Sequence, residues 1–263
     1  MGEQRNIHTQ GIILKKHPFG ENDFSVTIYS PDLGKIQATA KGARKMTSSA
    51  AGYLETLNIC NFQLYKSSVR YTIVQCQIQE KFKTIGEDLD RAMMAGMIVE
   101  IFNKSTISSE HCSELFHLLR QSLRKIGKTS QHFLTVESFK LNLLRQIGVL
   151  PDLENCASCH ERWNTGHIIW LEKSGYLRCE NCLYEHAVSE QNGHSRNTKN
   201  AKHIEFNIIK LINYLIRPLS EQTKTIAFNP EQKEQLQYLT RFFLEHFLDR
   251  EIVSEKMMMD ISG

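Results

Sequence analysis

No run of eighteen apolar residues occurs in this chain of 263 residues, which argues against a membrane-spanning helix. The opening Met1-Gly2-Glu3-Gln4-Arg5-Asn6 has no apolar signal core, and Asn6 stands where a myristoylation motif needs serine or threonine. A cytoplasmic protein is expected, with no membrane partner. There is no G-x-x-x-x-G-K-[ST] phosphate loop and no H-E-x-x-H. Asp23, Asp32, Asp88 and Asp90 do not have the spacing of a two-metal nuclease site. No catalytic residues are assigned, and an enzyme is not expected. A strong net charge is also missing: 32 Lys and Arg against 29 Asp and Glu leave +3. The total gives little support to a polyanion partner, but the distribution gives more. Residues 1–85 hold eleven Lys and Arg against six Asp and Glu, so attraction to phosphates is to be sought there first.

What the chain does have is cysteine in pairs. Cys156-Ala-Ser-Cys159 is followed, after nineteen residues, by Cys179-Glu-Asn-Cys182. Two such knuckles place four thiolates around one tetrahedral ion, and Zn2+ suits four sulfurs without redox chemistry. Disulfides, a redox pair and an iron site are the alternatives. The βαβ setting of a redox Cys-x-x-Cys is absent around either knuckle. Four cysteine ligands leave no position for water or substrate, which makes the ion structural. Trp163, His167, Ile168, Ile169, Trp170 and Leu171 between the knuckles supply a small hairpin beside the metal. His160 and His167 are surface or packing residues in this reading. Cys60, Cys76 and Cys112 are solitary and fit reduced thiols.

From Thr9 to about Glu80 the chain reads as short strands. They are Gly11–Leu14, Phe24–Tyr29, Lys35–Ala40, Leu57–Leu64 and Val69–Ile78, with a turn at Ser30-Pro31-Asp32-Leu33-Gly34. Four or five strands in this length fit a small barrel, either an OB-fold or an SH3-like one. After the third strand come Lys41-Gly42-Ala43-Arg44-Lys45 and a small-residue tract, Thr47–Gly52. Three cations at a strand end can ring a phosphate. Lys15, Lys16 and Lys35 join the same surface if the sheet curls. Phe19, Tyr29, Tyr53, Tyr65 and Tyr71 are candidates for stacking on bases. The plain alternative is a solvated face of lysines over an aromatic core.

Beyond Thr84 the period changes from two to between three and four. Leu89, Met93, Met97 and Ile101 share one helical face, and Leu115, Leu118, Leu119 and Leu123 share a second. A third runs through Phe133, Val136, Phe139, Lys140, Leu143, Leu144 and Ile147. Ser189–Asn200 reads as a surface loop, and helices resume at Glu205–Leu215 and from about Pro230. The fold class is therefore α+β: an OB-fold-like barrel at 1–84, a helical domain at 85–252 with a four-cysteine zinc unit inserted at 153–186, and a tail at 253–263.

This order resembles the RecO family of bacterial DNA repair and recombination proteins. The resemblance is carried by Gly11-Ile12-Ile13-Leu14, Gly20-Glu21-Asn22-Asp23, Gly34-Lys35-Ile36, Ala40-Lys41-Gly42-Ala43-Arg44-Lys45, the four knuckle cysteines and the helix Leu236–Leu248. Asn22 stands where a threonine is common, and the segment after Lys45 lacks further basic residues. The resemblance implies binding of single- and double-stranded DNA and annealing of complementary strands, including strands coated by single-strand-binding protein. It further implies a partnership with RecR and, indirectly, RecA in the RecF pathway, in a cytoplasmic, nucleoid-associated setting. Lys15, Lys16, Lys35, Lys41, Arg44 and Lys45 are the expected phosphate contacts, and Cys156, Cys159, Cys179 and Cys182 the expected metal ligands. The competing reading is an adaptor that docks proteins through its zinc unit and has no annealing activity of its own. A nuclease and a general RNA-binding module are further alternatives.

Overall fold

A computed structural model describes residues 5–45, 50–68, 70–107, 112–165, 168–183, 201–219, 222 and 225–248. His167, Met46–Ser49, the polar tract 189–200 and the tail 253–263 lie outside the described residues.

Five strands form a closed barrel: β1 (Arg5–Phe19), β2 (Asp23–Ser30), β3 (Gly34–Ala40), β4 (Ile59–Ser67) and β5 (Arg70–Glu80), in the order β1-β2-β3-β5-β4. Strands β3 and β5 run parallel, with Ala38 opposite Tyr71 and Thr39 opposite Thr72, and the other pairings are antiparallel. This five-stranded closure is OB-fold-like. The period-two pattern of β3 shows how the sequence specifies it. Ile36, Ala38 and Ala40 are buried, while Lys35, Gln37 and Thr39 point the other way. Ile13, Val26, Ile28, Phe62 and Leu64 complete the same core. Each such side chain contributes about 1.5–3 kcal/mol by leaving water.

Strand β1 is much longer than the expected Gly11–Leu14. Its first half pairs with β4 and its second with β2, and Ile12 faces both Tyr29 and Ile59. A register shift between Ile13 and Lys15 bends the strand around the barrel. Polar His8, Gln10, Lys15 and Lys16 hid this extent from any count of apolar runs. Gly11 lets β1 lie close against β2, because a Cβ there would lie 2.4 Å from Ile28 Cγ2 and 3.2 Å from the Tyr29 carbonyl. At the other edge, Leu57 adopts φ 76° in a turn, so β4 begins at Ile59.

A short helix, α1 (Ala50–Tyr53), precedes β4, and α2 (Lys83–Gly86), α3 (Leu89–Ser105) and α4 (Ser113–Ile126) follow the barrel. The periodicity of α4 holds: Leu115, Leu118, Leu119 and Leu123 are all buried. The reading of α3 needs correction at one end. Leu89 is 75% exposed, whereas Met97 and Ile101 of the expected face are buried, joined by Ile98 and Phe102. Asp88 explains this, because its side chain accepts from the Arg91 amide and so starts the helix beside Leu89, in its least buried turn. Glu80 at the end of β5 ties strand to helix, accepting from Arg120 Nε at 2.9 Å and Arg124 Nε at 2.6 Å.

By compactness the chain divides between Val136 and Glu137, within α5 (His132–Gln146). The second unit holds strands β6 (Ile169–Leu171), β7 (Leu177–Cys179) and β8 (Lys202–Ile204), and helices α6 (Phe206–Leu215) and α7 (Pro230–Leu248). The expected hairpin is β6 with β7, and β8 adds a third strand on the far side of β6. The sheet of the cysteine unit thus extends beyond 153–186. Helix α5 is buried from Leu134 through Leu144, polar residues included. Lys140 Nζ donates to Glu137 Oε1 at 2.9 Å, and the Thr240 hydroxyl donates to Glu137 Oε2. Ser138, Asn142 and Gln222 all donate to the Leu215 carbonyl, which ends α6.

Candidate metal centre and nucleic-acid interface

The first knuckle is held by backbone bonds before any ion is considered. Cys156 N–H donates to the Glu161 carbonyl at 3.0 Å and His160 N–H to the Cys156 carbonyl at 3.0 Å. His160 takes φ 61°, which turns the chain back after Cys159. Ala157 N–H donates to the Leu177 carbonyl at 2.9 Å, joining the first knuckle to the strand that carries the second. Cys179 ends β7, and a helical turn at 180–183 then swings Cys182 inward.

The four Sγ atoms all lie within 4.8 Å of one another. Cys156 to Cys179 is 3.8 Å and Cys159 to Cys179 is 3.9 Å. A tetrahedron with metal–sulfur bonds of about 2.3 Å has edges of about 3.8 Å, so the donor set fits such an ion. These four cysteines can hold a metal. His160 is not in the group.

The electrostatics of the thiols agree. Burial raises Cys182 well above the usual thiol range, and the neighbouring cysteines raise it further. Burial works the same way on Cys156. There, however, N–H groups of Cys179, Cys159 and Ser158 outweigh it, bringing the thiol down to about 7. The Cys179 and Ser158 amides stand 3.4 and 3.5 Å from Cys156 Sγ. Crowded thiols oppose one another's ionisation, and a dication removes that conflict.

The six candidate phosphate contacts do not form one cluster. Lys41, Arg44 and Lys45 are exposed on the turn after β3, and among the described residues none is paired with a carboxylate. Their turn is docked on the β1–β2 connection. Gly42 N–H donates to Asp23 Oδ1 at 2.7 Å, Arg44 N–H to the Asn22 carbonyl at 2.9 Å, and Arg44 Nη1 to the Gly20 carbonyl at 3.0 Å. Gly42 takes φ 66°, and Ala43 is buried beneath it. Lys35 lies at the start of β3, about 20 Å from Lys41 at roughly 3.3 Å per residue. Its ammonium donates to the carbonyls of Asn103, at 2.6 Å, and Thr106, at the end of α3. Lys16 is bound to Glu55 at 2.7 Å and covers the Phe24 ring. Lys15 is exposed and borders a cavity of about 680 Å³ lined also by Leu14, Leu57, Phe82 and Val99.

The aromatic candidates separate as well. Tyr29 is fully buried, edge-on to Phe102 at 4.7 Å, so it is core. Phe19 is 56% exposed and ends β1 immediately before Gly20, the residue that receives Arg44. Residue-by-residue reading missed Lys66 and Arg70. They flank the β4–β5 turn, and Lys66 Nζ lies 5.3 Å from the Tyr71 ring, opposite Ala38 of β3. Their signal was the expected fold itself, since OB-folds bind with the β1–β2 and β4–β5 loops.

Two family models match the chain: Recombination protein O N terminal over residues 4–82 and Recombination protein O C terminal over residues 86–256. The chain belongs to the RecO family. Relatives named DNA repair protein RecO match it nearly end to end. That of Alkaliphilus metalliredigens is 28% identical over 249 residues, covering 93% of this chain and 94% of the relative. That of Moorella thermoacetica is 28% identical over 262 residues, covering 98% and 92%. The RecO boundary between 82 and 86 falls where the barrel ends at Glu80 and α2 begins. Among the described residues no helix is long and apolar enough to cross a membrane.

Proposed function

We propose that this RecO-family chain is a DNA repair and recombination mediator that binds single- and double-stranded DNA and anneals complementary strands without bond chemistry. The observation that carries the reading is the docked turn at Lys41, Arg44 and Lys45. Three exposed cations stand on a turn docked against the β1–β2 loop, beside exposed Phe19, and the β1–β2 loop is one that OB-folds use for oligonucleotides. Cations at this position neutralise phosphates of two approaching strands and lower their repulsion, and base pairing supplies the sequence fidelity. Lys66 and Arg70 extend the same surface. Lys35 and Lys16, each already engaged, brace the barrel. The four cysteines hold one structural Zn2+, which supplies folding energy to the unit around it. By family likeness the partners are RecR, single-strand-binding protein and, indirectly, RecA, and the setting is cytoplasmic and nucleoid-associated.

The test is annealing of complementary labelled strands across a salt series, with and without single-strand-binding protein. Protein-dependent annealing that fades as salt rises is expected. Neither annealing nor binding at low salt would overturn the reading in favour of a zinc-containing adaptor.

A further inference from the structure

The sheet β7-β6-β8 has two unlike faces. Ile169, Leu171, Leu177, Cys179 and Ile204 are buried on one. On the other, the pairing register sets Arg178, Trp170 and His203 side by side across the three strands. Alternation adds Ile168 and Tyr176 to that face, and these two are 40% and 50% exposed. His203 is exposed and meets the Trp170 ring edge-on at 5.7 Å. The indole N–H of Trp170 has no acceptor among the described residues. Arg178 is fixed by Glu172 at 2.7 Å, and Lys173 is exposed on the turn between β6 and β7.

Tyr176 and His203 are exposed beside a half-buried Trp170, and such rings are a poor use of a solvated surface. They are a good one for flat, anionic-backed ligands, because bases of any sequence stack on aromatic faces while nearby cations meet the phosphates. The one carboxylate of the neighbouring turn, Glu172, is already engaged by Arg178. Annealing brings two strands together, and a second site on the same molecule adds a hold on one of them to the charge neutralisation at the barrel turn.

We propose that this face of the cysteine-bearing sheet is a second single-stranded nucleic-acid site, with Trp170 and Tyr176 as its stacking platform and exposed Lys173 as its phosphate contact. The proposal rests on the DNA-binding reading above. Its role is to hold the second strand by its bases.

The chain has two tryptophans, Trp163 and Trp170, and Trp163 is buried. Full-length protein carrying Trp163→Phe therefore has Trp170 as its sole indole reporter. An oligothymidylate is titrated into it while anisotropy of the labelled oligonucleotide is followed in parallel. Binding by anisotropy together with quenching of Trp170 and its protection from acrylamide is the expected result. Trp170→Ala with Tyr176→Ala then weakens binding about tenfold, at unchanged metal content. Binding that leaves Trp170 emission and acrylamide access untouched overturns this site and leaves the barrel reading standing. Absence of binding by anisotropy overturns both. A Trp170 shift that depends on protein concentration without DNA assigns the face to a second copy and also overturns it.

Discussion

Two lysines of β3 and its turn show how much a side chain's partner decides its function. Lys35 and Lys41 look alike in the sequence, six residues apart in one basic stretch. Lys35 neutralises the carbonyl end of α3, where the helix dipole favours a cation. Lys41 stands in solvent on a turn pinned by Asp23. Replacing Lys41, Arg44 and Lys45 together by alanine is expected to weaken DNA binding for all sequences. It should also lower the slope of log K against log salt by about 0.7–0.9 for each phosphate no longer neutralised. Lys35→Ala should instead leave that slope unchanged and lower the melting temperature. A salt titration of the two variants side by side checks both claims, and equal slopes in both would refute the division. A sequence shows its cations but not their partners. The basic turn at a strand end was readable from its Lys-Gly-Ala-Arg-Lys pattern, but its docking on Asp23 and Gly20 was not, and the engagement of Lys35 depends on a helix end about seventy residues away.

At the scale of the element, β5 and α4 are joined by one carboxylate. Burial acts to raise the Glu80 carboxyl, but hydrogen bonds from Arg124 and Arg120 hold it below its ordinary value of 4.5. A carboxyl lowered in the folded state stabilises the fold above its unfolded value. That contribution is lost as pH falls through the folded one. Wild-type protein should therefore lose stability more steeply below about pH 4.5 than Glu80→Gln does, in melts taken across pH 3–6. Identical pH profiles would show that the bridge is too solvated to matter. Helix α5 carries the other element-scale lesson. Its apolar positions gave it away as a helix, but Lys140 was counted on the buried face only by periodicity. Nothing local reveals that Glu137, Ser138 and Asn142 are buried too, because their partners Thr240 and Leu215 arrive from α7 and α6. Lys140→Ala leaves Glu137 buried with its cation gone and is expected to destabilise by about 3–5 kcal/mol, read by urea unfolding. Converting both Glu137 and Lys140 to methionine should cost much less.

Over the whole molecule, the chain belongs to two compact units with different sources of stability. The barrel rests on period-two burial, and the second unit combines helix packing with the cysteine centre. The four cysteines and their spacing were plain in the sequence, and so was the barrel–helix order. The third strand, β8, was not legible. Only three residues long and distant from β6 in the chain, it has no periodicity to detect. Cys159→Ser, or a strong chelator, is expected to remove one metal per chain by elemental analysis. Amide exchange should then speed up within residues 137–251, while barrel amides such as Ile12 and Ile28 stay slow. Uniform acceleration in both units would show that the metal supports the whole chain.

The barrel's closure has one more consequence. Among the described residues, β3 and β5 are joined at Ala38 with Tyr71 and at Thr39 with Thr72, while the other strand pairs run along most of their length. A ring opens at its shortest joint. Amide exchange within this barrel is therefore expected to be fastest at this joint, beside the Lys41–Lys45 turn, and slower along the longer pairings.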